Sequence, residues 1–192
     1  MIDLDNERPA AAVAAVVTAP VAADWSADLV ARSGYAFQVR PAKPADEAAL
    51  GEFFTHVSTD DLRFRFLSAI HKVGHDQLER LVTVDHEQTE NFLAIEPGTG
   101  RIIATAMIAA DDLLDKAEVA IAIRADFKRG GISWALLDHV AAFAASKGIK
   151  TLESVESREN HEAIKLERER GWTASSAAGD AGQIVLRKTI GG

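Results

Sequence analysis

The chain has 192 residues, a 47% apolar share and a formal net charge of −8, which suits one domain with a full core. The acidic balance argues against a sequence-independent nucleic-acid surface and is compatible with basic substrates such as amines. Cysteine is absent, so disulfides, thiolate metal sites and a cysteine nucleophile are excluded; no stretch offers the ~20 apolar residues that span a bilayer, and a cytoplasmic location is expected.

Residues 1–34 are Ala- and Val-rich, with Pro9 and Pro20. Ala10 to Val17 resembles the apolar part of a signal peptide, but Asp3, Asp5 and Glu7 precede it where positive charge belongs. The segment reads as an extension. It is expected to pack as a short helix or strand, on its own domain or on a second copy of the chain in a homodimer. The domain proper then covers residues 35–192.

Phe37 to Pro41 reads as a strand ended by proline. Pro44 to Val57 has proline and acids near its start, then Leu50, Phe53, Phe54 and Val57, the marks of an amphipathic helix. Ser58 or Thr59 caps a second helix with Leu62, Phe64, Phe66 and Leu67. Asp76 to Val84 makes a third, short one. Phe92 to Glu96 and Arg101 to Ala109 form a hairpin about Pro97-Gly-Thr-Gly100. Lys150 to Val155 is a buried-type strand, and Asn160 to Arg170 a helix closed by Gly171. Thr173 to Ser176 and Gln183 to Lys188 are the last two strands. This mixture predicts an α/β (α+β) domain with a mixed, mostly antiparallel sheet and helices on both faces.

The central stretch runs from Ala117 to Gly148. Val119, Ile121 and Ile123 alternate with Glu118, Ala120 and Ala122, a period-2 strand. Gly130-Gly131 breaks the pattern. Ile132, Leu136, Val140 and Phe143 return at helical spacing, and Gly148 is the C-cap. A glycine turn at a helix N-terminus presents free N–H groups and the positive end of the helix dipole, an anion site suited to phosphate or pyrophosphate. The basic pair Lys128 and Arg129 suits such a ligand. Neither GxxxxGK[ST] nor GxGxxG occurs, which excludes a P-loop and a dinucleotide fingerprint.

Lys128-Arg129-Gly130-Gly131-Ile132-Ser133 resembles the [QR]xxGx[GA] signature of the GNAT superfamily of N-acetyltransferases. Gly131 stands at the central glycine, Lys128 replaces Gln or Arg, and Ser133 replaces Gly or Ala. The order of elements over about residues 35–190 is similar to that superfamily as well. The resemblance implies the GNAT acyl-CoA N-acyltransferase fold, acetyl-CoA as co-substrate and no metal. It implies that the amides of Lys128, Arg129, Gly130, Gly131, Ile132 and Ser133 hold the pyrophosphate and that the backbone of Ile121, Ala122 and Ile123 meets the pantetheine arm. Trp134, which follows the turn, would line the groove. Val57 to Phe66, Leu78, Leu81 and Val84-Asp85-His86, with Ala117-Glu118, are similar to Pat-type protein lysine acetyltransferases. Protein lysine is therefore the expected acceptor, with a small amine or amino acid, or a non-catalytic acyl-CoA-binding module, as alternatives.

Acetyl transfer must take a proton from an amine whose free pKa is about 10.4 for lysine, stabilise an oxyanion and release a thiolate. Direct attack needs no covalent enzyme intermediate. Glu118 is the expected general base: it starts the central strand on the face of Ala120 and Ala122, whose small side chains leave room. The resemblance puts a glutamate at this position, and partial desolvation would raise its pKa. A backbone N–H around Ile121 to Ile123 is the expected oxyanion donor. The superfamily run NxxAxxLYxxxGF is matched here by Asn160, Ala163, Leu166, Gly171 and Trp172, with Glu167 in the Tyr position. Either Glu167 takes some part or the thiolate leaves to solvent; the second is preferred. Asn160 is read as a helix N-cap and, by resemblance, as a pantetheine contact. The six histidines, including His71, His86 and His139, form neither HExxH nor a metal-spaced cluster. Lys165 to Arg170 is read as a solvated helix face, and Trp25 and Trp172 as packing residues.

Overall fold

A computed structural model describes residues 24–66, 72–177 and 179–191. Ala10 to Val17, Leu67 and His71 lie outside them. The described residues form an eight-stranded sheet and five α-helices. In chain order these are β1 (Ala27–Val30), β2 (Ala36–Pro41), α1 (Glu47–Thr55), α2 (Thr59–Phe66) and α3 (His75–Val82). Then come β3 (Thr89–Ile95), β4 (Ile102–Ala110), β5 (Lys116–Ile123), α4 (Ile132–Ser146), β6 (Thr151–Ser157), α5 (His161–Glu169), β7 (Thr173–Ser176) and β8 (Gln183–Thr189). The strand order is β1-β2-β3-β4-β5-β6-β8-β7. Only β5 and β6 run parallel, joined by the crossover helix α4. The mixed, mostly antiparallel sheet expected from the sequence is the one observed.

The alternation in the strands sorts residues onto two cores. On one face Phe92, Ile108, Val119 and Leu152 pack with Ile132, Leu136, Val140 and Phe143 of α4 and with Ile164 and Trp172 around α5. On the other, Leu93, Ile102 and Ala122 pack with Leu50, Phe53, Phe54, Leu62, Leu78 and Leu81 of α1, α2 and α3. Helices thus cover both faces, as each needs an apolar stripe to bury. Ser58 caps α2: its hydroxyl accepts from the Asp61 N–H at 3.2 Å. Gly148 adopts φ 80° just past α4, as a C-terminal glycine should.

The start of β3 moved for a physical reason. β3 begins at Thr89 rather than Phe92, because Thr89–Asn91 pair with Met107–Ala109. Polar Asn91 is tolerated there, fully buried, since its Nδ2 donates to the Leu81 carbonyl and its Oδ1 accepts from Thr105 at 2.5 Å. β1 falls inside the segment read as an extension. It pairs antiparallel with β2 from Ala27↔Val39 to Val30↔Ala36 and forms one edge of the sheet, and Trp25 stacks edge-on against Phe143 and His139.

Candidate active site

β5 and β6 pair only from Lys116↔Thr151 to Glu118↔Glu153. Beyond Glu118 they separate. β5 keeps β4 on one side as far as Ile123, and β6 keeps β8 as far as Ser157. Among the described residues the other edge of Val119–Ile123 therefore has no strand partner. A cleft of about 620 Å³ occupies the gap. Unpaired strand groups must find another partner, so the opening is a place for a ligand to complete the ladder. Ile121, Ala122 and Ile123 line it as expected.

One end of the cleft is formed by Lys128, Arg129, Gly130, Gly131 and Ser133. Arg129 and Gly131 both sit at positive φ, 65° and 81°. Such turns gather backbone N–H groups into an anion-binding concavity. Gly131 precedes α4, whose first amides carry the positive end of the helix dipole and no side-chain cap. A Cβ on Gly131 would meet Arg32 Cβ at 2.8 Å and its backbone nitrogen at 3.0 Å, so only glycine fits. Ile132, expected with this group, is 2% exposed in the core and does not line the cleft. Lys128 is engaged: its Nζ lies 2.8 and 2.9 Å from the Asp61 carboxylate oxygens. A cation missed by the sequence reading stands here instead. Arg32, in the β1–β2 connection, lines the cleft and stacks its guanidinium 4.0 Å from the Trp134 ring centre. The same connection pins the turn, since Ser33 N–H donates to the Gly130 carbonyl at 3.1 Å.

At the other end acidic side chains converge. Glu118 lines the cleft but is exposed, so the desolvation expected for it is not there. Glu156, on the Leu152 and Ser154 face of β6, points inward. Its carboxylate accepts from Asn160 Nδ2 at 2.7 Å and from Ser154 Oγ at 3.1 Å. Burial pushes it up to about 7, against those hydrogen bonds and the charge of Arg65. Glu167 on α5 is 7% exposed. Burial, helped by the charge of Glu156, pushes it up to about 8, with Ser154 opposing. Arg65 of α2 reaches the same place. Its Nε is buried with no hydrogen-bond partner among the described residues, and its NH2 group contacts Met107 Sδ at 3.5 Å. Burial holds its pKa below the usual range, opposed by Glu118 and Glu156. Asn160 caps α5 by accepting from the Ala163 N–H at 3.4 Å, and also lines the cleft.

Glu156, Ser154, Arg65 and Arg32 were not found from the sequence. The strand reading stopped at Val155, one residue short of Glu156, although the parity of Leu152 and Ser154 continues to it. Among the described histidines, His139 packs against Phe92 at 4.7 Å, and His86 pairs with buried Glu90 at 2.9 Å. Among the described residues no group of three or more His, Cys, Asp or Glu is arranged to hold a metal ion. No helix there is long and apolar enough to cross a membrane.

The model of the acetyltransferase (GNAT) family matches residues 55–172. The chain belongs to the GNAT family of acetyltransferases. A Pseudomonas aeruginosa acetyltransferase is 26% identical over 154 residues, which cover 79% of this chain and 83% of that protein. The GNAT domain of S. lividans PAT superposes with a TM-score of 0.80 at 26% identity, covering 86% of this chain and 97% of that one. A cAMP-binding acyltransferase from Mycobacterium smegmatis shares the fold at TM-score 0.60 and 20% identity. There this chain covers 87% of itself and 48% of the larger protein.

As a GNAT enzyme the chain is an acetyl-CoA-dependent N-acetyltransferase. The cleft fits that co-substrate. The glycine cradle filled by any Cβ at Gly131 and the amides opening α4 suit a diphosphate. The unpaired edge of β5 suits the amide-bearing pantetheine arm.

Proposed function

We propose that this GNAT enzyme acetylates lysine side chains of proteins by direct attack of the amine on acetyl-CoA, with Glu118 as general base. The observation that carries the reading is the place of Glu118. It is the last residue pairing β5 with β6, it borders the unpaired edge, and it is exposed at the mouth of the cleft. An acceptor reaching it comes directly from solvent, as a lysine on a protein surface does. The net charge of −8 favours a cationic acceptor, and the likeness to the GNAT domain of S. lividans PAT agrees with the Pat-type pattern in the sequence. Lys128, Arg129, Gly130, Gly131, the Ile132 amide, Ser133, Trp134 and Arg32 would hold the nucleotide end, with Ile121, Ala122, Ile123 and Asn160 along the arm.

Replacing Glu118 by Gln keeps shape and removes the base. Turnover, measured as thiol release from acetyl-CoA, should fall about 10²- to 10³-fold, with acetyl-CoA affinity within about threefold. Unchanged turnover would remove Glu118 from the chemistry. The acceptor is tested by comparing kcat/KM on poly-L-lysine and lysine-bearing proteins with a panel of free amines and amino acids. Preference for the free amines would favour a metabolite acetyltransferase.

A further inference from the structure

Glu167 is the inward-turning member of a charged helix face. Its neighbours Lys165, Arg168 and Glu169 are exposed, as a solvated run should be, and Lys165 pairs with Glu169 at 3.9 Å. Lys165 and Glu169 border the cleft from its exposed rim, whereas Glu167 lines it from inside, its Oε2 buried with no hydrogen-bond partner among the described residues. An ionised carboxylate without a donor is costly in such a place, whereas a neutral carboxyl offers a proton to whatever enters.

Glu167 and Glu156 are held unequally. Glu156 has Asn160 and Ser154 as donors and faces the charge of Arg65. Glu167 has no such pair of donors, since the Ser154 hydroxyl proton goes to Glu156, and it faces the charge of Glu156. When the pair shares one proton, the negative charge settles on Glu156 and the proton on Glu167.

We propose that Glu167 donates the proton taken up by the sulfur of departing coenzyme A, with Ser154 and Glu156 as positioning residues that keep that proton on Glu167. This rests on the acetyl-transfer reading of the cleft. The amine nitrogen forms the C–N bond at the thioester carbonyl carbon and the C–S bond breaks. The electron pair goes to sulfur, and the Glu167 proton follows it. Glu167 is left as a carboxylate beside ionised Glu156 and regains a proton from water. The proton lost by the amine leaves through Glu118 at the mouth. An alkyl thiol such as cysteine titrates at about 8.5, so a donor pushed up to about 8 is matched to the sulfur it serves.

The test compares the full chain with Glu167→Gln, which keeps the shape and removes the proton. Thiol release from acetyl-CoA is followed with poly-L-lysine as acceptor across the pH range. The variant should lose about 10²-fold in kcat while binding acetyl-CoA within threefold. Wild-type kcat should decline above about pH 8, and that decline should be missing from the variant. A kcat within threefold of wild type, or an unchanged decline, overturns the proposal. A purely structural role would lower the melting temperature without removing the decline. A second measurement needs neither turnover nor a variant: carboxyl ¹³C resonances of wild-type glutamates, assigned through the backbone. Coenzyme A should shift the Glu167 resonance and its midpoint, and desulfo-coenzyme A, which lacks the sulfur, should not. Equal response to both, or none to either, overturns the proposal. Failure of the wild type to bind acetyl-CoA would instead remove the acetyl-transfer reading, and this proposal with it.

Discussion

The Lys128–Ser133 end of the cleft presents backbone amides, and the Glu156–Glu167 end presents buried, titratable side chains. The first end uses amides that cannot titrate, fixed by positive φ at Arg129 and Gly131 and by the contact of Gly131 with Arg32. Its lysine is already tied to Asp61. The second end uses Glu156, Glu167 and Arg65, each shifted from its ordinary range chiefly by burial. A ligand of constant charge needs a rigid, permanent set of donors. A reaction that moves protons needs groups poised near neutrality, and burial supplies them at a cost in stability.

This contrast is broken most severely at Gly131. Gly131→Ala puts a methyl against the Arg32 backbone at a left-handed φ, a strain of about 1–2 kcal/mol before the turn is displaced. Acetyl-CoA affinity by calorimetry should fall about 10- to 30-fold. Glu167→Gln should leave that affinity nearly unchanged.

The next effect concerns stability. Glu156 and Glu167 are raised in the folded state, so the stability linked to their protons is present below the ordinary carboxylate range and lost as pH rises through about 8. His139, buried and lowered, acts in the opposite direction, but only as pH falls below about 6.5. Between about pH 6.5 and 8 the wild-type melting temperature should therefore decline, and above about pH 8 this contribution should level off. Glu167→Gln should flatten the decline and melt about 2–4 °C higher at pH 8.5, equivalent to about 1 kcal/mol. A lower melting temperature for the variant at that pH would contradict the assignment.

The sequence carried the first end of the cleft much better than the second. Gly130-Gly131 after an alternating strand and before a helical repeat states its geometry locally. So do the alternation of Val119 to Ile123 and the 3.6-residue repeat of Leu136, Val140 and Phe143. Glu156, Glu167 and Arg65 come from three elements, and each reads as an ordinary charged residue in its own stretch. Their meaning arises only when β6, α5 and α2 bury them together, which local periodicity does not encode. β1 was hidden for a similar reason: four residues of an edge strand, half of them exposed, leave little apolar pattern.

The smaller predictions sharpen the first end. Arg32→Ala removes a guanidinium stacked on Trp134. Losing one exposed cation that faces the diphosphate, about 0.5–1 kcal/mol, lowers acetyl-CoA affinity about two- to fivefold, an effect that shrinks with salt. Lys128→Ala should change affinity less than about twofold, because Asp61 already holds that charge. A larger effect for Lys128 than for Arg32 would reverse the assignment of the cation.

The central claim is that the amides at the start of α4 and the unpaired edge of β5 hold acetyl-CoA. Calorimetric titration of the full chain with acetyl-CoA tests it most directly. The account predicts one site per chain with a dissociation constant of about 1–100 μM, weakened in Gly131→Ala and kept in Glu167→Gln. No heat and no thermal stabilisation at millimolar acetyl-CoA, or equal binding by the Gly131 variant, would contradict it.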